Sequence, residues 1–230
     1  MIDQIRHSLC IGLILQLCLA ATGYTQTIAK SSVRVYVFDD SDKFYDSMGS
    51  GTLLTPTQVI TNYHVIKDRH KDDSIEIRFY DGERRQAKVQ AEDKVWDLAL
   101  LQIEPYPKVT PPPIGRLPSK GDHLYIAGFG QDYEYKVQKG VLEGYYAPKT
   151  GMDGGWIKID NTGARNGDSG GPISNTAGQW VGTLFGSIQE GDIHTYGTHV
   201  SRIKIVFGDK IKLGSPYDNY ILLEEKPDGK

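Results

Sequence analysis

Hydrophobic and polar positions along this chain alternate over short distances and seldom keep one period for long. Val33 to Phe38 (VRVYVF), Ser74 to Tyr80 (SIEIRFY), Asp97 to Ile103 (DLALLQI) and Trp156 to Asp160 (WIKID) are strand-length runs of β-branched, aromatic and apolar residues. Such residues suit a pleated surface on which successive side chains point to opposite faces. Glycine pairs or proline-containing turns bound many of these runs. Helical periodicity is confined to Ser201 to Lys212. Many short strands with glycine-rich turns predict an all-β sandwich or barrel. Pro105 to Pro118 holds six prolines, at 105, 107, 111, 112, 113 and 118. Proline has no N–H to give to a ladder, so this stretch reads as a connector. Two β-barrels are therefore expected, one over about 31–104 and the other over about 119–207, joined by linker 105–118.

The N-terminus breaks this pattern. Leu9 to Ala21 is a thirteen-residue apolar run interrupted by Gln16, shorter than the roughly 20 residues that span a bilayer. Ala20, Ala21 and Gly23 offer small residues for a peptidase. Residues 1–23 are expected to be a secretory signal peptide, giving a secreted or periplasmic protein with no membrane contact beyond that signal. An uncut N-terminal anchor is the alternative. Lipidation of Cys18 is disfavoured because bulky Leu17 precedes it. Residues 24–213 form the expected folded domain, and the charged segment from Gly214 to Lys230 reads as a surface extension.

Composition narrows the chemistry. Both cysteines, Cys10 and Cys18, lie in the apolar run. A chain cleaved behind it has no thiol, which excludes a disulfide-stapled module, a Cys-ligated zinc site and a cysteine nucleophile. Net charge is −3 with no basic run, so nucleic-acid binding driven by phosphate neutralisation is not expected. With 39% hydrophobic and 24% charged residues, the chain has the makings of a packed core.

Asn166 to Pro172 reads NGDSGGP. A serine flanked by glycines can sit on a sharp turn with its hydroxyl exposed and neighbouring N–H groups converging. That geometry suits acyl transfer, with Ser169 as nucleophile and the N–H groups of Gly167 and Ser169 holding the oxyanion. Serine needs a base and an orienting carboxylate. His64 follows an apolar strand in the block Gly49 to Ile66 (GSGTLLTPTQVITNYHVI), and Asp97 immediately precedes the apolar run Leu98 to Ile103.

These three blocks resemble the trypsin/chymotrypsin-like serine peptidases, specifically the cysteine-free HtrA/Deg branch. They occur in that family's order, His, Asp, Ser, separated by 33 and 72 residues. Lys120 to Gly130 (KGDHLYIAGFG) resembles the strand opening the second barrel, and Gly178 to Gly182 (GQWVG) the hairpin after the nucleophile. The resemblance runs from about Ser32 to about Ile205. It implies two six-stranded antiparallel barrels with an active site between them. It also implies a serine endopeptidase acting on protein or peptide substrates, without cofactor or metal. His64 would be general base and then acid, Asp97 would hold its tautomer, and Ser169 would carry the acyl group. The resemblance further suggests an S1 pocket built from Gly163 and Ala164, from Leu184, Phe185 and Gly186, and from Gly197 and His199. No acid stands at Gly163, so cleavage after Lys or Arg is disfavoured. His199 either reaches the pocket wall and favours Glu or Gln, or is a buried strand histidine bonded to backbone.

Some features depart from those relatives. Asp168 occupies the position that in trypsin zymogens pairs with a new amino terminus, yet no IVGG-like start follows the apolar run. Its partner is expected to be Arg165, a main-chain donor or a water. Too few residues follow the match for the PDZ domains of HtrA/Deg proteins, so cage assembly is not carried over and oligomeric state is left open. Asp39 to Asp42 with Asp46 reads as a solvated acidic loop, with calcium binding as its rival. Gly128-Phe-Gly130 lacks the third glycine of a dinucleotide loop, and His70, His123 and His194 show no metal-ligand spacing. Two rivals to the peptidase remain: a catalytically silent binding module on this fold, and an esterase or acyltransferase using the same triad.

Overall fold

The computed structural model describes residues 28–213, apart from 39–44, 71–72, 148–153, 161–162 and 191. The apolar N-terminal run, both cysteines, Asp39 to Asp42 and the segment from Gly214 onward fall outside the described residues.

The first barrel is closed by β1 (Ser32–Phe38), β2 (Tyr45–Thr55), β3 (Gln58–Thr61), β4 (Ser74–Arg78), β5 (Arg84–Asp93) and β6 (Leu98–Ile103), in the order β1-β2-β3-β6-β5-β4. The second is closed by β7 (His123–Phe129), β8 (Tyr135–Tyr146), β9 (Trp156–Asp160), β10 (Pro172–Asn175), β11 (Trp180–Glu190) and β12 (Asp192–His199), in the order β10-β11-β12-β9-β8-β7. All named strand pairings are antiparallel, so both sheets close without an open edge. A short helix α1 (Tyr63–Ile66) follows β3, and α2 (Val200–Phe207) follows β12.

Period-2 alternation explains how one strand serves two cores. In β6, Ala99, Leu101 and Ile103 point into the first barrel with Val33, Val35, Leu53 and Ile77. Leu98 and Leu100 point the other way, joining Ile60, Trp180 and the buried residues of α2 between the barrels. That is why Leu98 to Leu101 is an unbroken apolar run: both of its faces are covered, and only Gln102 of β6 is exposed. The second barrel closes on Leu124, Ile126, Ile157, Ile159, Ile173 and Val181.

The helical pattern at Ser201 to Lys212 resolves into α2 followed by a 3₁₀ turn at Gly208–Lys210. Gly208 ends α2 with φ 51°, donating its N–H to Lys204 O, a left-handed stop that glycine tolerates. Val200, Ile203 and Phe207 lie on the buried face of α2.

Candidate active site

His64 sits in α1, where β3 leaves the first barrel. Its side chain is 40% exposed, whereas that of Asp97 is 21% exposed. Asp97 ends the turn between β5 and β6. Asp93 caps that turn, its Oδ1 accepting from Val95 N at 2.8 Å and Trp96 N at 2.9 Å. Asp97 then adopts φ 51° and faces back across α1. Its Oδ2 lies 2.6 Å from His64 Nδ1, and its Oδ1 accepts from His64 N at 2.8 Å. Asn62 Nδ2 donates to Asp97 O at 2.8 Å. A carboxylate only accepts, so His64 Nδ1 carries the hydrogen and Nε2 is left as the acceptor.

The Ser169 loop belongs to the second barrel but is moored to the first by Ser50. Ser50, fully buried, donates its N–H to Ser169 O at 2.7 Å and its hydroxyl to Gly167 O at 2.8 Å. The same hydroxyl accepts from Phe129 N at 2.8 Å, and Ser50 O accepts from Thr61 Oγ1 at 2.7 Å. Gly170, at φ 89°, makes this approach possible: a Cβ there would lie 2.0 Å from Ser50 O and 2.4 Å from Thr61 Oγ1. No rearrangement of side chains relieves a clash with backbone oxygen, so only glycine fits. Neither Ser50 nor Thr61 stood out as functional in the sequence. The available signal was a serine between Gly49 and Gly51, at the head of the block that carries His64.

Gly167, at φ 93°, places the loop so that its amides divide in two ways. Asp168 N bonds to Arg165 O, Gly170 N to Leu184 O and Gly171 N to Asp168 O. Among the described residues, no acceptor faces the N–H of Gly167 or of Ser169. Two amides left for an incoming oxygen, on either side of an engaged one, are what an oxyanion hole requires. The Ser169 hydroxyl donates to Phe185 O at 3.4 Å, and among the described residues no hydrogen bond joins it to His64. The proton path between them needs a turn of the serine side chain.

The residues expected at the S1 pocket have mixed fates. Ser187 Oγ donates to Ala164 O at 3.4 Å, tying β11 to the segment before the nucleophile. Phe185 forms a bulge in β11 and packs its ring 4.7 Å from that of Trp156 and 6.2 Å from that of Tyr196. Gly163 is exposed, and Leu184 is fully buried in the barrel interior. Gly197 leaves room for Ile173 Cδ1, which a Cβ would meet at 2.3 Å. His199 faces backbone on both sides: Nδ1 accepts from Arg202 N at 3.3 Å as the cap of α2, and Nε2 lies 3.4 Å from Gly154 O. Burial pushes its imidazole down to about 4. The ring is a neutral capping group with both nitrogens taken, not a free contact for an acidic or amide side chain.

Three outlying features complete the picture. Asp168 is buried and meets Arg165 through both guanidinium and main chain. His194, one of three histidines without metal-ligand spacing in the sequence, is brought by β8, β9 and β12 beside Glu143 and Asp160. Lys158 Nζ already lies 2.7 Å from Glu143 Oε2 and holds that carboxyl below its ordinary range. A cavity of about 550 Å³ beside α1, lined by Tyr63, Lys67, Arg69 and His70 among others, contains none of His64, Asp97 and Ser169.

Comparison with known proteins bears on the family and the fold. A family model described as the trypsin-like peptidase domain matches residues 49–182. The Do-like serine protease HtrA of Bacillus subtilis is 28% identical over 194 residues, covering 77% of this chain and 42% of that protein. The mitochondrial serine protease HTRA2 of Bos taurus is 27% identical over 143 residues, covering 59% of this chain and 31% of that protein. The chain thus spans less than half the length of either relative. The crystal structure of a serine endoprotease from Yersinia pestis shares the fold, with a TM-score of 0.70 at 21% identity over 82% of this chain and 65% of that one.

Proposed function

The chain belongs to the trypsin-like peptidase domain family, and from that premise we propose that it is a serine endopeptidase using Ser169, His64 and Asp97. The observation that carries this reading is the two-point grip of Asp97 on His64, at Nδ1 and at the main-chain N–H. It orients the imidazole and leaves Nε2 as base.

In the proposed reaction Ser169 turns from Phe185 O toward His64, and its Oγ attacks the substrate carbonyl as Nε2 takes the proton. The carbonyl electrons move onto oxygen, which the Gly167 and Ser169 amides receive. Collapse of this intermediate breaks the C–N bond, and the amine leaves with the proton from His64. Water repeats the sequence against the ester, freeing the acid and restoring Ser169. Asp97 keeps accepting from Nδ1 and stabilises the imidazolium. An uncharged Gly163 and an engaged His199 leave nothing at these positions to select a charged P1 residue. Export through residues 1–23, followed by action outside the cytoplasm, is part of the proposal, supported by the Leu9 to Ala21 run and the cysteine-free remainder.

The test is labelling by a fluorophosphonate probe, with casein and peptide-library cleavage beside simple ester turnover. Wild type should label and cut peptides, and Ser169→Ala should do neither. A folded wild type that never labels would point to the binding module; ester turnover without peptide cleavage would point to the esterase. Enrichment of Lys, Arg or Glu at P1 would contradict the pocket reading.

A further inference from the structure

Asp168 lies between the two residues whose amides are left free, and its side chain is 3% exposed. A carboxylate buried that deeply needs a cation and a full set of donors, since an unpaired buried charge is strongly destabilising. Arg165 supplies both from within the same turn. Its main-chain N–H donates to Asp168 Oδ2 at 2.8 Å, its Nε to Oδ2 at 3.1 Å and its Nη2 to Oδ1 at 2.9 Å. Asp168 N returns a bond to Arg165 O at 3.0 Å, closing the turn on itself.

The other edge of the guanidinium reaches out of the loop. Nη1 donates to Asp132 Oδ1 and Oδ2 at 3.0 and 3.2 Å, while Nη2 also reaches Glu134 O at 3.1 Å and Gly128 O at 3.3 Å. Asp132 and Glu134 belong to the hairpin between β7 and β8, and Gln131 N donates to Asn166 O at 2.9 Å alongside. One planar cation thus joins the nucleophile loop to the β7–β8 hairpin by a fork of donors on each side. Lysine, with a single ammonium, cannot reproduce that geometry.

We propose that Arg165 is the positioning residue of the oxyanion loop, a built-in cation that holds Asp168 so that the Gly167 and Ser169 amides stay turned toward the substrate. The proposal rests on the serine-hydrolase reading and deepens it. The loop then needs no charge delivered from elsewhere, such as a freshly cut amino terminus, and its two free amides are in place as soon as the chain folds, with only the Ser169 side chain left to turn.

Labelling rate, kcat and KM on a small ester, and thermal unfolding should be compared in wild type, Ser169→Ala, Arg165→Met, Arg165→Lys, Arg165→Ala and Asp132→Ala. Arg165→Met keeps the aliphatic stem and removes the fork; kcat should fall about 10²- to 10³-fold, the loss typical of a missing oxyanion donor, with KM moving far less. Arg165→Lys should recover only part of it. In Arg165→Ala, added ethylguanidinium should raise the rate, which a merely structural role would not produce. Arg165→Met labelling within threefold of wild type overturns the proposal. If Arg165→Met fails to unfold cooperatively, Asp132→Ala decides: it removes both acceptors of Nη1 and frees only the exposed edge of the fork, so kcat should drop several-fold at unchanged Tm, and an unchanged kcat overturns the proposal. A folded wild type that does not label removes the hydrolase reading and the proposal together; a labelled wild type with an undiminished Arg165→Met removes the proposal alone.

Discussion

Asp97 carries its two bonds to His64 from a left-handed backbone, φ 51°, a conformation that Asp and Asn tolerate better than other side chains with a Cβ. Asn would keep the backbone, the size and an oxygen for the His64 N–H, but it would present an amide where the carboxylate accepts from Nδ1. The imidazole would then hold its hydrogen on the wrong nitrogen. Asp97→Asn should therefore lose about 10⁴ in kcat with Tm nearly unchanged, as measured by ester hydrolysis and calorimetry. A loss of only two- or three-fold would mean that Asp97 does not orient the base. Ser50 poses the complementary case, a buried hydroxyl that donates to Gly167 O and accepts from Phe129 N. Ser50→Ala leaves both partners unsatisfied. It should cost about 1–3 kcal/mol by urea unfolding and also lower kcat, because Gly167 O belongs to the oxyanion loop.

Among the elements, α2 depends on the residue before it. His199 caps the helix through Nδ1 and lies within reach of Gly154 O, and its T-shaped ring contact with Tyr145 at 5.6 Å helps to keep it dry. Because burial pushes its imidazole down to about 4, the folded state refuses a proton that the unfolded chain accepts near pH 6.5. Stability is therefore fully present above about pH 6.5 and is lost progressively as pH falls toward 4, by up to about 3 kcal/mol. Arg202, itself a positive neighbour, works in the same direction. Asn caps helices well and does not titrate. In His199→Asn the fall of Tm between pH 6.5 and 4 should shrink while α2 persists; an unchanged slope would assign the pH sensitivity elsewhere.

For the molecule as a whole, the seam between the barrels holds the site together. Thr198 Oγ1 donates to Trp96 O at 3.0 Å, and the Arg202 guanidinium stacks 4.6 Å from the Trp96 ring; the second barrel thereby grips the turn that presents Asp97. Arg34 donates to Tyr133 O across the same seam. The segment after α2 returns to the first barrel, where buried Gln58 donates from Nε2 to Lys210 O at 2.7 Å and accepts from Lys212 N at 2.8 Å. With a shared apolar layer and these ties, the barrels should unfold as one unit. Gln58→Ala removes both of these links to the returning segment, leaving Lys212 N without its acceptor and Lys210 O with only the 3.3 Å bond from Gln90 Nε2. It should lower Tm and cost about 1–3 kcal/mol; near-ultraviolet circular dichroism and tryptophan fluorescence should report the same midpoint. Separate midpoints in wild type would mean that the seam does not couple the barrels.

Sequence by itself marked several of the strands, the two-barrel plan and the residues proposed to carry chemistry, because these are local matters. Period-2 patterning marks a half-buried strand, and a glycine-flanked serine, a strand-end histidine and an acid before an apolar run are each recognisable in a few residues. The boundaries moved where turn chemistry intervened: Asp97 read as the first residue of a strand, yet the Asp93-capped turn claims it and β6 begins at Leu98. What only the tertiary structure decided are meetings across more than 30 residues. Ser50 lies 119 residues before Ser169 and carries no motif, so nothing local distinguishes it from other strand serines. The engagement of His199 Nε2 by Gly154 O, and the reach of Arg165 Nη1 to Asp132, likewise depend on which groups the closed barrels bring within 3 to 3.5 Å. Hydrogen-bond partnership is a short-range contact made by long-range topology, and no pattern along the chain encodes it directly.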